Sequence, residues 1–481
     1  MRKPSIDLPD QMPERRRTAL VDGQRVGVEE ITVELEVVTP ILGGGTKTRD
    51  VDEVDIIRVP TIRGHLRFWW RALYGQNYDS PRALYAAEKR LWGGTTDGDD
   101  ESGGRSLVEV TVSVDKQRAA AVDESQIQAY GTDATPGAYA LWPARGADGQ
   151  TPAPRRTPGQ RFELKVCVPA VADDDGAVVI ESQVRAAVHA WILFGGYGGR
   201  TRRGLGSLRV TSAEAAKWLP QPGEDLRAEL ARLFGRDVFT LPSPAPARTD
   251  LPQLIGAELL VAADPVDNHA AWICALGWLR EFRQGDGTTA YDAREPDTGI
   301  GDPRPHVSRW PEADKLRHLA GMERTSAHKP AHNAAPVWPR AGFGLPIIGQ
   351  WQTTDRFRRK RAYTEPQPYA LKWQTAGRDP QMMDRLASPL IVKALPLANG
   401  QALPCALWLY RAYPNGTVRP EMGGMGSASP NAPFDQLVAA GDTARFAPLA
   451  RRGTPTGHNL RDAFRDWLTT KRKAIVAIPG A

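Results

Sequence analysis

The sequence predicts an α+β chain built from two mixed units in tandem. Three observations carry this. Alternating strand patterns and helical patterns are interspersed. Their order in the first half is strand, helix, strand, strand, helix, strand. A Pro- and Ala-rich stretch, 241–250 (LPSPAPARTD), has the composition of a linker near mid-chain. That order is the split βαβ pattern of ferredoxin-like units.

Taken along the chain, residues 1–27 read as a disordered or loosely docked tail. Ile31, Val33, Leu35 and Val37 alternate with polar residues, the period of a half-buried strand. Thr39-Pro40 ends it and Gly43-Gly44-Gly45 forms a turn. A second short apolar run, Val54 to Val59, stops at Pro60. Thr61 to Tyr74 is a helix, with Thr61 as N-cap. An acidic, glycine-rich loop, 93–106, leads to a strand over 107–114, and a Pro- and Arg-rich loop fills 143–160. A strand from Arg161 to Val168 and a helix from Glu181 to Phe194 follow. The glycine-rich segment Gly195 to Ser207 then leads into a strand at Leu208 to Thr211. The second unit opens with a strand at Leu254 to Ala263 and a helix at Asn268 to Phe282, with Trp272, Ala275, Leu276 and Leu279 on one face. It closes with a helix at Arg461 to Lys473 and a strand at Ala474 to Ile478. The predicted domains are therefore 28–240 and 251–481, joined by the linker.

Composition narrows the function. The 481 residues hold 62 Lys and Arg against 56 Asp and Glu, a net charge of +6. The surplus permits a polyanionic partner, so the placement of basic residues decides. The 46 glycines and 40 prolines exceed the usual share and predict many loops between short elements. Cys167, Cys274 and Cys405 lie far apart with no CxxC pair, which argues against a disulfide framework or a cysteine zinc site. No apolar run approaches the ~20 residues of a membrane span. The polar start of the chain lacks a signal-peptide core, so a cytoplasmic protein is expected.

Three motifs carry chemistry. In Ile62 to Tyr74, Arg63, Arg67 and Arg71 are spaced i, i+4, i+8 and share one helix face. No acidic residue partners them at helical spacing. The face is either solvated or a phosphate-binding surface, for which the planar guanidinium fork is suited. In Gly195 to Ser207, six glycines surround Arg200, Arg202 and Arg203. Glycines let backbone N–H groups approach a phosphate and permit positive φ, although a tight connection needs glycine as well. The segment is no Walker A loop, nor is Gly43 to Thr48, which contains Lys47. The third motif is Arg356, Arg358, Arg359, Lys360 and Arg361 near Tyr363, Tyr369 and Trp373, a basic and aromatic mixture suited to single-stranded nucleic acid or to a docked protein.

Enzymatic signals are weak. His328 and His332 have no evident third ligand. Asp50, Asp52, Glu53 and Asp55 read as a solvated loop before a Mg²⁺ site. His65, between arginines, is the one candidate base for RNA cleavage. No catalytic residue, metal or cofactor is therefore assigned.

The segment Pro60 to Leu73 (PTIRGHLRFWWRAL), preceded by Thr39 to Gly45, resembles the motif of the first RAMP subunit of Cmr complexes, the type III-B CRISPR RNA-guided effectors. Gly195 to Ser207 is similar to the RAMP glycine-rich loop. Ser308 to Pro311, Pro339 to Pro346 and Arg385 to Leu390 are also similar to that subunit, so the likeness spans most of residues 31–396. The tail, the acidic loop and the region after about residue 400 carry no part of it. The resemblance implies two ferredoxin-like, RRM-like RAMP domains with long loop insertions. It implies a noncatalytic RNA-binding subunit near the 3′ end of the CRISPR RNA, active in antiviral defence. The implied partners are CRISPR RNA, target RNA and other RAMP subunits, with no membrane. A RAMP endoribonuclease processing precursor CRISPR RNA, or a docking subunit with weak RNA contact, are the alternatives. The expected RNA-contacting residues are Lys47, Arg63, His65, Arg67, Trp69, Arg71, Gly196, Gly198, Gly199, Arg200, Arg202, Arg203, Arg356, Arg358 and Arg359.

Overall fold

The computed structural model describes residues 18–45, 49–52, 54–94, 104–129, 133–146, 149–171, 180–243, 250–284, 310, 312–322, 337–351, 365–422, 434, 450–451, 454–455 and 459–481. It is an α+β structure. The first half comprises β1 (Thr18–Val21), β2 (Gln24–Val37), β3 (Ile41–Leu42), α1 (Val59–Tyr74), α2 (Pro81–Trp92), β4 (Glu109–Val114), β5 (Val122–Asp123), α3 (Ala138–Leu141), β6 (Arg155–Arg156), β7 (Arg161–Pro169), α4 (Ile180–Phe194), β8 (Leu208–Val210) and α5 (Leu226–Phe234). The second comprises β9 (Gln253–Val261), α6 (Asn268–Gln284), α7 (Glu312–Leu319), β10 (Ile347–Gly349), β11 (Tyr369–Thr375), β12 (Met382–Met383), β13 (Leu390–Pro396), β14 (Ala402–Tyr410), β15 (Gly416–Met422), β16 (Ala450–Arg451), β17 (Thr454–Pro455), α8 (Leu460–Lys471) and β18 (Ile475–Ile478).

The main sheet of the first half runs β8–β2–β7–β4, antiparallel throughout. Ile31, Val33, Leu35 and Val37 of β2 and Phe162, Leu164, Val166 and Val168 of β7 turn to one face, as the alternation predicts. Helices α1 and α4 cover that face. Ile62, Leu66, Trp69, Trp70 and Leu73 of α1 are buried there, beside Trp191 and Phe194 of α4. The sheet of the second half runs β13–β14–β9–β18, also antiparallel. Its strand–helix–strand–strand–helix–strand order, read through β9, α6, β13, β14, α8 and β18, repeats the pairing of the first half.

Three elements differ from the sequence reading. Residues 18–27 are not a tail. Thr18–Val21 pairs with Gln24–Gly27, because Asp22 and Gly23 take φ of 47° and 80° and close a two-residue hairpin. Helix α1 starts at Val59 with Arg58 as N-cap and Pro60 in its first turn. Thr61 is inside the helix, and its hydroxyl donates to the Gly44 carbonyl at 3.3 Å. Helix α2 is additional. Its signals were local: Ser80 caps it by accepting from the Ala83 N–H, Pro81 opens it and Gly93 ends it at φ 77°.

The two halves share one core. Leu254, Ala257 and Leu259 of β9 and Ile391 and Leu395 of β13 pack in the same cluster as α1, α4 and β2. Across this junction the fully buried Lys393 donates from Nζ to the carbonyls of Ile192, at 3.1 Å, and Gly195, at 2.9 Å. These carbonyls lie at the C-terminal end of α4, where a cation is favoured. Burial pushes the Lys393 ammonium down to about 7 and the facing Cys405 thiol up to about 12. The unfolded chain therefore binds a proton at Lys393 that the native chain releases above pH 7. Stability should rise between pH 7 and pH 9, before Cys405 titrates in the unfolded chain and opposes it. The wild-type gain from Lys393 is about 2 kcal/mol across that window. Lys393→Met should lack it when the two are compared by denaturant unfolding at each pH.

Candidate nucleic-acid interface

The arginine stripe of α1 does not stand free. Arg63 donates to the carbonyls of Trp92, at 3.3 Å, and Val108, at 3.5 Å. Arg67 and Arg71 both pair with Glu88 of α2, which is 4% exposed. The carboxylate absent at helical spacing within α1 comes from the next helix. One carboxylate answers two guanidiniums, which stay half-buried. Trp69 is buried against Phe68 and Phe194, with no ring face for a base. Removing the carboxylate strands two arginines. Because both reach water, Glu88→Ala should cost about 1–2 kcal/mol rather than the roughly 3–5 of a fully buried pair, measured by denaturant unfolding.

The glycine-rich loop follows α4 and is strapped to residues 38–42 after β2. Gly199 N–H donates to Leu42 O at 2.7 Å, Gly206 N–H to Pro40 O at 2.9 Å and Tyr197 N–H to Gly206 O at 2.8 Å. The Thr39 hydroxyl donates to Gly204 O at 2.7 Å and accepts from the Ser207 N–H. The loop glycines serve close packing. A Cβ on Gly196 would stand 2.7 Å from the Gly206 carbonyl, and Gly198, at φ 86°, lies against the Leu42 carbonyl. At least the Gly199 N–H, expected to face phosphate, is already used. Gly206, at φ 65°, has no room for a Cβ beside the Tyr197 carbonyl. Gly206→Ala should destabilise the chain by about 3 kcal/mol and raise amide exchange across 195–207, read by hydrogen–deuterium exchange.

The loop arginines point away from the stripe. Arg202 lies over the Phe68 ring, 5.3 Å from its centre. Arg203 donates to the Leu390 carbonyl at 2.8 Å, and its own carbonyl accepts from Trp272 Nε1 at 2.9 Å. Arg200 is exposed at φ 57°. Helix α1 meets this loop through Thr61, His65, Phe68 and Trp69, whereas Arg63, Arg67 and Arg71 face α2 and β4. At about 100° per residue these are different faces, so the stripe and the loop do not form one groove.

Other arginines complete the loop set. Arg283 of α6 donates to the Tyr139 hydroxyl at 2.8 Å, and Arg411 follows β14. Burial, opposed by Tyr139 and reinforced by crowding from Arg283, Arg200 and Arg202, pushes Arg203 down to about 9. Burial, then Arg411, pushes Arg202 down to about 10. Arg202 and Arg203 stay charged at neutral pH. Among the described residues, none of Arg200, Arg202, Arg203, Arg283 and Arg411 has a carboxylate partner. Such crowding of cations is relieved by an anion. Arg283 and Arg411 were not legible as site residues, since only the packing of the halves brings them to the loop.

Arg200, Arg203 and Arg283 line a cleft of about 1200 Å³ together with Tyr139, Trp142 and Phe343. The open sheet face is unlike an aromatic base-binding platform. It carries Glu30, Thr32, Glu34, Glu163 and Lys165, and Phe162, the one aromatic residue in its four main strands, is buried on the other side.

His65 stacks near Trp191, with ring centres 6.4 Å apart, and its Nε2 is buried without a hydrogen-bond partner. Burial pushes its pKa down to about 4. Asp52 accepts from the N–H groups of Val54 and Asp55 and pairs with Arg58, a turn-capping role. Among the described residues no three His, Cys, Asp or Glu side chains are grouped to hold a metal ion. Lys47, Arg356, Arg358, Arg359, His328 and His332 lie outside the described residues. No described helix is long and apolar enough to cross a membrane.

Residues 34–209 match the RAMP superfamily family model. No curated protein matches the chain. Among solved structures, the chain is similar to apo Cmr1 from Pyrococcus furiosus, at 16% identity and a TM-score of 0.43, over 94% of this chain and 99% of that one. It is also similar to a chain in a type III-B Cmr-β structure bound to cognate target RNA, at 10% identity and a TM-score of 0.37, over 79% and 94%. The stretch that matches the RAMP superfamily model, residues 34–209, holds α1, most of the first sheet and the glycine-rich loop.

Proposed function

We propose that this chain is a noncatalytic RNA-binding subunit of a type III-B CRISPR effector, working in the cytoplasm beside other RAMP subunits. The observation that carries it is the set of five arginines, Arg200, Arg202, Arg203, Arg283 and Arg411, gathered around a RAMP glycine-rich loop with no carboxylate paired to any of them among the described residues. Guanidinium groups crowded at a cleft suit a phosphate backbone. The sheet orders β8–β2–β7–β4 and β13–β14–β9–β18 support the reading of each half as a ferredoxin-like unit with insertions. A position near the 3′ end of the CRISPR RNA, and a role in holding target RNA, rest on the motif resemblance of Pro60 to Leu73. On this reading the RNA path lies along the loop and cleft, and the stripe on α1 is a structural lock.

The absence of catalysis is part of the proposal. A general base works best with a pKa near the operating pH, and His65, pushed down to about 4, is a poor one. The purified chain with Mg²⁺ or Mn²⁺ should leave CRISPR and target RNA intact. Cleavage that disappears in His65→Ala would establish the endoribonuclease instead.

Binding of single-stranded RNA by the full chain and by the assembled complex, followed by fluorescence anisotropy from low to high salt, tests the interface. Contacts to phosphate give a slope of about −0.7 per neutralised phosphate for single strands. Arg202→Ala and Arg283→Ala should each weaken binding to all sequences alike and flatten the slope by up to about 0.7. Arg67→Ala should lower stability and leave the slope unchanged. Unchanged affinity and slope in both Arg202→Ala and Arg283→Ala would refute the interface. RNA binding lost only with Arg67→Ala would move it to α1.

A further inference from the structure

The cleft contains an aromatic group that the phosphate reading does not use. Twelve of the fourteen tryptophans are buried, and Trp351 is half-buried beside Tyr369. Trp142 alone is exposed, at 40%, and it lines the cleft with Arg200, Arg203 and Arg283. Exposing an indole forfeits the burial that drives the other twelve inward.

Trp142 is also held in place. Arg145 stands over its ring, 4.2 Å from the centre. The loop that carries both is clamped by Arg49, whose guanidinium donates to the carbonyls of Pro143, Arg145 and Thr151. The Ala153 N–H donates to Ala144 O at 2.7 Å, and Gln126 exchanges two hydrogen bonds with the Gly146 backbone at 3.1 Å. On the other side of Trp142, α3 is anchored through Gly137, whose missing side chain admits the buried Trp272 indole. Two separate devices therefore fix an exposed ring in a cleft where Arg200, Arg203 and Arg283 have no carboxylate partner among the described residues.

We propose that Trp142 is a stacking platform for one unpaired RNA base, with Arg200, Arg203 and Arg283 holding the adjoining phosphates. This deepens the RNA-binding reading and rests on it. The chemistry selects the ligand class. A flat aromatic face beside cations suits single-stranded RNA, where phosphate and base both need partners, whereas bases in a duplex offer no free face. At about 1200 Å³ the cleft exceeds the roughly 300–1,000 Å³ of small-molecule sites, consistent with a polymer segment. Stacking is tolerant of sequence, so the platform reads strandedness rather than base identity.

The test compares wild type, Trp142→Ala and Trp142→Phe as full chains, with thermal unfolding confirming that the exposed ring is dispensable for folding. The ligands are single-stranded RNA, the same RNA carrying abasic sites, and duplex RNA. Trp142→Ala should bind the single strand roughly 5- to 140-fold more weakly with an unchanged salt slope, and Trp142→Phe should retain most of the affinity. The abasic strand should bind wild type and Trp142→Ala equally. Equal affinity of wild type and Trp142→Ala for the intact single strand would overturn the platform while leaving the arginine interface in place. Retained RNA binding with lost association of another subunit would overturn it in favour of protein docking. A wild-type chain that binds no RNA, alone or assembled, would overturn the underlying reading and the platform with it.

Discussion

The structure depends on one buried lysine that bridges its two halves. Lys393 reaches from the edge strand of the second sheet to the last turn of α4 in the first half, giving two hydrogen bonds to Ile192 and Gly195. A buried ammonium is tolerable only where acceptors replace water, and a helix C-terminus supplies both carbonyl oxygens and the favourable end of the dipole. This contact fixes where α4 stops and where the glycine-rich loop begins. It also sets the second half against that loop, so Arg203 meets the Leu390 carbonyl and Trp272 meets the Arg203 carbonyl. The candidate interface is a product of that docking.

Arginines of similar appearance therefore have opposite uses. On α1 the regular spacing presents three guanidiniums to α2 and the start of β4, where Glu88 and two backbone carbonyls take them. In the loop, Arg200, Arg202 and Arg203 are spread by positive-φ turns into a region where α6 and the end of β14 add cations. The N–H groups of Gly199, Gly206 and Ser207 go to residues 39–42, and those of Gly195, Tyr197, Arg203 and Gly204 go to carbonyls of α4 or of the loop itself, so side chains rather than these backbone amides give the loop anion-binding capacity. The cleft joins this charge to Tyr139 and Trp142, and the open sheet face, acidic and without aromatics, offers no comparable surface.

Local pattern alone determined much of the chain. The strands at Ile31 to Val37 and Arg161 to Val168, the helices α1 and α4, and the apolar face of α6 were legible because strand and helix periods need only neighbours in sequence. The α+β class and the glycine-rich loop followed from them. The Asp22-Gly23 hairpin and the Ser80-Pro81 helix start are equally local signals. Tertiary structure decided the rest. Glu88 lies 21 residues from Arg67, and Lys393 lies 198 residues from Gly195. The pairing of charges and the convergence of Arg283 and Arg411 on the loop depend on which surfaces the two halves bury together. That choice is set by the shape and polarity of packed faces, which no spacing along the chain encodes.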